Sequence, residues 1–217
     1  MYDFDLPEMQ PFERDGIFFS QELPESWKEI IAEKVPFVMD ILKNSKTYLA
    51  GGLLRTMVST NETLSPNSTD VDLFFKDSVA FEAVKLYFQD VLEFEVIFQC
   101  PENKLTTFLD HSTGWKYQCI AMAFYPTLQN VVESFDFTCT CFGTDGENFI
   151  FHQAAIEDTL SKSLRWNKIT HPASSMRRMM KYARKGYTMP ESEYQYFVEC
   201  VSSHSLDIID EMLVYVD

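Results

Sequence analysis

The chain has 217 residues, of which 46% are hydrophobic and 24% are charged, so it fits one folded domain with a small appendix and excludes a disordered or fibrous protein. Its net charge of −15 excludes a broad basic surface that would neutralise nucleic-acid phosphates. The five cysteines form no Cys-x-x-Cys pair, no apolar run reaches membrane-spanning length and no signal peptide opens the sequence, so we expect a reduced, cytoplasmic protein.

The first third of the chain predicts helices and strands in alternation. Pro36 should kink or split the first helix, because proline lacks the N–H that a helix interior needs. The segments are, in order, an irregular stretch over 1–23, a helix over 24–42, a strand over 46–50, a helix over 53–58, a polar loop over 59–69 and a strand over 71–75.

Further strands are predicted up to His152, after which the pattern becomes helical. The elements are a helix over 77–91, strands over 94–99, 105–109, 117–124, 135–142 and 148–151, a helix over 128–132, and helices over 153–161, 174–186 and 190–214. We therefore divide the chain into an irregular N-terminal segment (1–23), an α/β core (24–152) and a helical C-terminal subdomain (153–217).

Two carboxylates, Asp70 and Asp72, flank Val71 where the predicted strand 71–75 begins. A strand places residues i and i+2 on one face, so both carboxylates should point to the same side. Like charges so close together raise each other's pKa unless a cation lies between them. Mg²⁺ (or Mn²⁺) suits this position, because it takes oxygen ligands and keeps positions open for phosphates.

Gly51 and Gly52 follow a predicted strand and open a predicted helix. Without Cβ atoms, a backbone can approach a phosphate closely, and its N–H groups can bind it. The segment 162–185 adds positive charge, since it holds eight Lys and Arg residues and no acidic residue. Together with the carboxylates, these features indicate metal-dependent nucleotidyl transfer, and a solvated helix face is the alternative for the basic residues.

The order of strand, Gly-Gly, helix, loop and Asp-x-Asp resembles that of the DNA polymerase β-like nucleotidyltransferase superfamily. Over about residues 47–187 the chain is most similar to the tRNA nucleotidyltransferase and poly(A) polymerase head domain. Five short motifs, in the same order, resemble those of that group: Ala50-Gly-Gly-Leu-Leu-Arg55, Asp70-Val-Asp72, Asp136-Phe-Thr138, Ala155-Ile-Glu-Asp158 followed by Lys162, and the basic stretch from Arg177 to Gly186-Tyr187.

Two motifs depart from the family pattern. Ser134-Phe135 stand where the family has Arg-Arg before Asp-Phe-Thr. The acidic part of the nucleotide-reading Glu-Asp-x-x-Arg is missing before Arg177, and the register of its arginine is open by one residue. The sequence therefore leaves the choice of nucleotide open. It also leaves open whether the chain is active or self-associates.

The resemblance implies an α+β fold, with a nucleotidyltransferase-type mixed sheet, helices packed on one face and a small helical C-terminal appendix. It implies transfer of a nucleoside monophosphate from a nucleoside triphosphate, such as ATP, to an acceptor hydroxyl, with release of pyrophosphate. The implied catalytic and metal-binding residues are Asp70, Asp72 and Asp136, the last on a neighbouring strand. The implied nucleotide-binding residues are Gly51, Gly52, Arg55, Arg177, Arg178 and Lys181, although Arg55 has an equal alternative, pairing with an acid.

The acceptor stays open at this point: an RNA 3′ end such as that of tRNA, or a hydroxyl of a protein or small molecule. No membrane partner and no extended nucleic-acid surface are expected. The chain resembles the compact members of the superfamily that are found in phages. A phage protein of this kind would act in the host cytoplasm. The alternative function is a non-catalytic nucleotide-binding or protein-interaction module on the same fold.

Overall fold

A computed structural model describes residues 12–13, 16–100, 102 and 104–202. Its strands are β1 (Phe12–Glu13), β2 (Phe18–Glu22), β3 (Thr47–Ala50), β4 (Val71–Phe75), β5 (Glu95–Gln99), β6 (Leu105–Leu109), β7 (Lys116–Ile120), β8 (Phe142–Thr144), β9 (Asn148–His152) and β10 (Lys168–Ile169). Its α-helices are α1 (Glu25–Lys34), α2 (Val38–Asn44), α3 (Gly52–Val58), α4 (Ser78–Leu86), α5 (Leu128–Glu133), α6 (Ala155–Ser161), α7 (Pro172–Arg184) and α8 (Glu191–Ser202).

Eight strands form the central sheet in the order β2-β9-β8-β3-β4-β7-β6-β5. The pair β4–β7 is parallel and the other neighbours are antiparallel, so the sheet is mixed. β1 and β10 form a separate antiparallel pair. The predicted α+β fold with a mixed sheet is confirmed. β3 and β4 lie at the centre of the sheet, and the Gly-Gly turn and the Asp-x-Asp motif belong to these two strands.

Alternation along β4 determines what each face of the sheet contacts. Val71, Leu73 and Phe75 are fully buried in the main core, which most of the helices cover. Phe74 points to the opposite face and packs in a smaller cluster with α5. Most helices therefore share one face, as expected, and the short α5 lies on the other. Asp70 and Asp72 have the parity of Phe74, so they belong to the α5 face.

A further core belongs to the C-terminal part of the chain. Trp166 stacks on Phe197 at 5.1 Å and lies 4.4 Å from Phe137 between ring centroids. This cluster also contains Cys139, Tyr182 and Tyr187, among others. Phe137 and Cys139 thus precede the predicted boundary at residue 152 but pack with the segment that follows it. The three-part division of the chain stays a prediction.

Several predicted elements are confirmed at their junctions. The first helix is split at Pro36, where Phe37 has φ = 69° and α2 begins anew. The Asp77 side chain accepts a hydrogen bond from the N–H of Ala80 and so caps α4. That helix ends in a π-helical turn, Tyr87–Val91. The boundaries at Pro36 and Asp77 could be predicted from the sequence, because proline breaks a helix and an aspartate can cap one.

Two predicted elements are wrong. The segment 135–142 is not a strand: Asp136 lies in a bend, Thr138–Thr140 form a 3₁₀ helix, and only Phe142 begins β8. Local alternation of apolar and polar residues produced this error, because the apolar residues of the segment pack on two different clusters: Phe137 and Cys139 on one, Phe135 and Cys141 on the other. Residues 1–23 are not wholly irregular either, since β2 is an edge strand paired with β9. The predicted helix 190–214 is observed as α8 up to Ser202, and the remainder lies outside the described residues.

Candidate active site

The carboxylate pair lies at the start of β4, beside the Gly-Gly turn. Asp70 and Asp72 are half-buried, whereas Val71 between them is fully buried, so the two carboxylates share a face as predicted. β7 runs parallel to β4 and places Gln118 opposite Asp72. The Gln118 amide donates a hydrogen bond of 3.2 Å to Asp70 Oδ2, which orients that carboxylate.

The glycine turn approaches the carboxylates from β3. A Cβ added at Gly51 would lie 3.6 Å from Asp72 Oδ2, and a Cβ added at Gly52 would lie 2.8 Å from Thr69 Oγ1. Gly51 also has φ = 82°, which a side chain would strain. The bare backbone is therefore needed where the turn meets Asp72. The structure brings both glycines together with the Asp-x-Asp motif.

The two glycines cannot act in the same way. The Gly51 N–H donates to the carbonyl of Phe142 at 2.9 Å, so it is already bonded within the protein and not available to a phosphate. Gly52 is the first residue of α3, where N–H groups have no partner within the helix. The prediction that both N–H groups hold a triphosphate is thus limited to Gly52, and Gly51 supplies the conformation of the turn.

Asp136 is not on a neighbouring strand, and its carboxylate is paired with a cation. Arg178 Nε donates to Asp136 Oδ2, and the Asp136 side chain is only 7% exposed. The ring of Phe137 is buried in the C-terminal core, whereas Phe135 stays at the site, beside Gly51. Among the described residues, no three or more His, Cys, Asp or Glu side chains lie close enough to hold a metal ion. The predicted cluster of three carboxylates is therefore not formed.

Arg55 lies inside the protein, with a side chain that is 0% exposed. Its guanidinium donates to both carboxylate oxygens of Glu62, at 2.6 and 2.7 Å, and to the hydroxyl of Tyr187 at 3.1 Å. It also lies 5.8 Å from the ring centroids of Tyr182 and Tyr187. Of the two alternatives predicted for Arg55, the structure favours the ion pair and does not bring Arg55 to the carboxylates of the site.

This burial changes the acid–base properties of the Arg55 cluster. Desolvation, the largest single influence, opposes the charge on Arg55, but the hydrogen bonds with Glu62 and the interactions with Tyr182 and Tyr187 together outweigh it and raise the arginine pKa. The same hydrogen bonds lower the pKa of Glu62. Burial raises the pKa of Tyr187. The ion pair therefore stays charged at neutral pH, and Tyr187 stays protonated as a donor or acceptor.

The basic residues of α7 differ in exposure. Arg178 is partly buried and reaches Asp136, whereas Arg177 and Lys181 are exposed. Lys185, at the end of α7, donates from Nζ to the carbonyl of Ser68 at 3.2 Å. Burial, followed by repulsion from Arg55, lowers the pKa of Lys185, while Glu62 and Asp70 attract it. Of the three predicted α7 cations, Arg178 reaches Asp136, the third candidate carboxylate.

Two site residues were missed from the sequence, Gln118 and Lys185. Gln118 lies between the buried Tyr117 and Cys119, so alternation along the strand predicts that it points to the opposite face. The parallel pairing of β4 with β7, which brings Gln118 to the site, is decided by the tertiary structure. Lys185 was recognised only as part of a basic segment. Lys185 lies directly before Gly186, whose φ is 85°, and a glycine in this conformation is a local signal that the helix ends there. At the end of the helix, the Lys185 side chain can turn towards the loop.

The remaining motif, Ala155 to Asp158, is structural. The fully buried Asp158 accepts hydrogen bonds from Arg165 Nε at 2.7 Å and from the hydroxyl of Thr138. These hydrogen bonds connect α6 to the 3₁₀ helix. The segment that resembles the family motif therefore contributes to packing here and does not form a set of ligands. Tyr182 and Tyr187 are likewise buried, in the C-terminal core.

The donor set at the turn fits a magnesium-type cation only in part. Asp70 and Asp72 present carboxylate oxygens, the ligands that Mg²⁺ prefers, on one face, and the glycine turn places backbone without a side chain next to Asp72. The third carboxylate is engaged with Arg178. The residues therefore fit a metal held by two carboxylates, with further ligands to come from a nucleotide or water.

Comparison with solved structures identifies the fold. The chain is similar to a CCA-adding enzyme in complex with ATP, with a TM-score of 0.59, 12% identity, and coverage of 89% of this chain and 50% of that one. An apo form of a CCA-adding enzyme gives 0.57 at 14% identity, and the Thermotoga maritima enzyme complexed with tRNA gives 0.56 at 14%, both with the same coverage. The chain spans about half the length of these proteins, and at such identity the likeness shows a nucleotidyltransferase-like fold.

No curated protein sequence matches this chain. In the described residues, no helix is long and apolar enough to cross a membrane. A family model does match, over residues 18–162, which is about two thirds of the sequence and includes β2, the sheet, the glycine turn and α6. On that match, the chain belongs to the Gabija anti-defense 2 (Gad2) family.

Proposed function

We propose that this protein is a metal-dependent nucleotidyltransferase, which transfers a nucleoside monophosphate to an acceptor hydroxyl and releases pyrophosphate. One observation carries the proposal: Asp70 and Asp72 share a face at the start of β4, with Asp72 Oδ2 3.6 Å from the position of a Cβ at Gly51. A carboxylate pair next to a side-chain-free turn suits a cation bound by a polyphosphate. The nucleotidyltransferase-like fold supports the same reaction.

Each side chain would have a distinct role. Asp70 and Asp72 would hold the metal, with Gln118 orienting Asp70 through its amide. Gly52 would bind the triphosphate through its backbone N–H at the start of α3. Bound Mg²⁺ or Mn²⁺ would lower the pKa of the attacking hydroxyl and stabilise the leaving pyrophosphate. Arg178 would neutralise triphosphate charge, and Asp136 would join the metal ligands only if a phosphate replaced it as the partner of Arg178.

The family name indicates a candidate acceptor. The family is described as Gabija anti-defense 2, a description that points to the Gabija defence system as the target. We infer that the acceptor is a hydroxyl of a Gabija component and that the protein acts in the host cytoplasm. The net charge of −15 opposes a long RNA as acceptor, because phosphates would be repelled. An RNA 3′ end at the local basic surface of α7 is the remaining alternative.

A second candidate function is a non-catalytic nucleotide-binding module. The ion pair between Asp136 and Arg178 favours it, because this pair removes the third carboxylate from the metal site. The absence of a three-ligand metal group among the described residues points the same way. Retention of the close pair Asp70 and Asp72 opposes it, since two carboxylates on one face suit a divalent cation.

Label transfer tests the proposal. The full chain, with Mg²⁺ or Mn²⁺, would receive each α-labelled nucleoside triphosphate with RNA or protein from cells that carry a Gabija system. We expect labelled protein, and we expect label to fall by about a thousandfold or more in the Asp70→Asn, Asp72→Asn double variant, since metal stabilisation of the transition state is worth several kcal/mol.

Asp90→Asn is the matched control, because Asp90 is an exposed acid outside the site. Label on RNA would move the proposal to end addition. Label that persists in the double variant would sink the mechanism. No label with any nucleotide, together with no rise in melting temperature on adding metal, would favour the binding module.

A further inference from the structure

The loop 59–69 carries the chain directly into Asp70, so its position determines that of the carboxylate pair. The second half of the loop is closed on itself. Ser68 donates from both its N–H and its hydroxyl to the carbonyl of Ser65, at 3.0 and 2.8 Å, and the Ser65 N–H donates to Ser68 Oγ at 3.0 Å. Ser68 is two residues before Asp70, so a contact that holds the Ser68 backbone restricts where Asp70 can lie.

Two sets of contacts hold this loop, and both involve residues at the C-terminal end of α7 or just after it. Glu62 is held by Arg55, which in turn donates to the hydroxyl of Tyr187. The carbonyl of Ser68 is held by Lys185 Nζ at 3.2 Å. The loop is thus connected to Lys185 and Tyr187, which are more than a hundred residues later in the chain.

Lys185 is itself held in place. Its N–H donates to the carbonyl of Tyr182 at 2.9 Å, which closes the last turn of α7. Its carbonyl accepts a hydrogen bond of 3.0 Å from Lys162 Nζ. Gly186 has φ = 85° and leaves room for the Lys162 side chain, which a Cβ would approach to 3.6 Å. A lysine whose backbone is fixed on both sides can hold a loop at a defined distance.

We propose that Lys185 is a positioning residue for the metal-binding carboxylates: by holding the carbonyl of Ser68, it makes the geometry of Asp70 and Asp72 depend on the C-terminal end of α7. This inference rests on the proposed function of that carboxylate pair. A partner that shifts α7 would then control metal affinity without touching the metal site.

The direction in which metal affinity changes when Lys185 is removed distinguishes a positioning role from a purely electrostatic one. Lys185 is a cation that interacts with Asp70, so it repels a divalent metal bound there. If charge were its only role, removing it would strengthen metal binding. If it positions the carboxylates, removing it weakens metal binding in spite of the relieved repulsion.

Mn²⁺ titration of the full chain, followed by electron paramagnetic resonance without nucleotide, tests the proposal independently of activity. We expect Lys185→Met to raise the Mn²⁺ Kd about fivefold to tenfold, the size expected for loss of one charged hydrogen bond. Lys185→Arg, which keeps the donor, should stay within about twofold of the parent. Arg184→Met removes an exposed neighbouring cation and is the matched control.

A melting curve in EDTA shows whether each variant is folded. If Lys185→Met does not fold, Tyr187→Phe replaces it, since it removes only the hydroxyl that contacts Arg55, and it should raise the Kd about twofold to threefold. An unchanged or lower Kd in these folded variants would overturn the positioning role. If instead the Asp70→Asn, Asp72→Asn variant binds Mn²⁺ as well as the parent does, the proposed metal site fails, whatever Lys185 does.

Discussion

The candidate site has two sides that are built differently. On the carboxylate side, Asp70, Asp72 and the glycine turn are within about twenty residues of one another, on two paired central strands. On the cation side, Arg178 and Lys185 are each bound to an oxygen from a distant segment, namely Asp136 and the Ser68 carbonyl, and Arg55 is bound to Glu62 in the loop that follows α3. The carboxylate side is half-buried, whereas Arg55 on the cation side is fully buried.

The comparison shows how three cations near the site are held in a protein that is acidic overall. Each of these cations has an internal oxygen partner, so none is merely a solvated charge near the turn. A buried cation with a single good partner holds structure together, because losing that partner leaves a charge without water. Asp70 and Asp72 instead lie half-buried at the start of β4, where the proposed function would use them to bind a metal. The predictions below separate these two behaviours.

The largest effect should come from Glu62→Gln. This change leaves the fully buried Arg55 without its counter-charge, and we expect the free energy of unfolding to fall by about 3 kcal/mol, measured by chemical denaturation. Glu82→Gln is the matched control: Glu82 pairs with Lys85 at 3.7 Å on the surface and is 51% exposed, so its loss should cost less than about 0.5 kcal/mol. Equal losses in both variants would contradict a special role for the cation side.

The same ion pair predicts a pH dependence. Glu62 has a lowered pKa in the folded protein, so it contributes stability above its ordinary pKa, and this contribution disappears as the pH falls through the lowered value. The stability difference between the parent and Glu62→Gln should therefore be constant near neutrality and shrink in strong acid. A difference that grows on acidification, in melting curves from pH 7 downwards, would mean that the sign is wrong.

Arg178→Gln should have a smaller effect on stability and a specific effect on binding. It leaves the carboxylate of Asp136, which is 7% exposed, without its cation, at a cost of about 2 kcal/mol. We also expect calorimetry to show about tenfold weaker binding of a non-hydrolysable nucleoside triphosphate. Arg177→Gln, on the exposed side of the same helix, should change neither quantity measurably. If Arg177 matters more, the inner side of α7 is not the nucleotide side.

Gly52→Ala should have the smallest effect and probes the carboxylate side. Its Cβ would lie 2.8 Å from Thr69 Oγ1, so the residue before Asp70 must shift, at a cost of about 1 kcal/mol. We expect weaker Mn²⁺ binding with little change in melting temperature. Thr69→Ala removes the crowding oxygen, so the double variant should recover much of the loss. An additive double variant would show that the contact between Gly52 and Thr69 does not position Asp70.

Local elements were predictable where the sequence contains its own boundaries. Pro36, Gly51 and Asp77 break or cap helices through their own covalent geometry or a hydrogen bond within a few residues, and the structure has boundaries at all three. The alternation of Asp70, Val71 and Asp72 likewise fixed which side chains share a face. The error at 135–142 arose because no local signal shows that Phe135 and Phe137 pack on different clusters.

The sequence by itself determined the carboxylate pair, the glycine turn and several helix boundaries, because these depend on neighbours within a few residues, and the class of fold followed from the family resemblance. Only the tertiary structure decided the partners of the charges: that Arg55 is buried on Glu62, that Arg178 and not Arg177 reaches Asp136, and that Lys185 holds the Ser68 carbonyl. The physical reason is that neither the burial of a charge nor its choice of partner leaves a periodic trace in the sequence. Charge type can be read from the chain, but burial and pairing depend on how its segments pack.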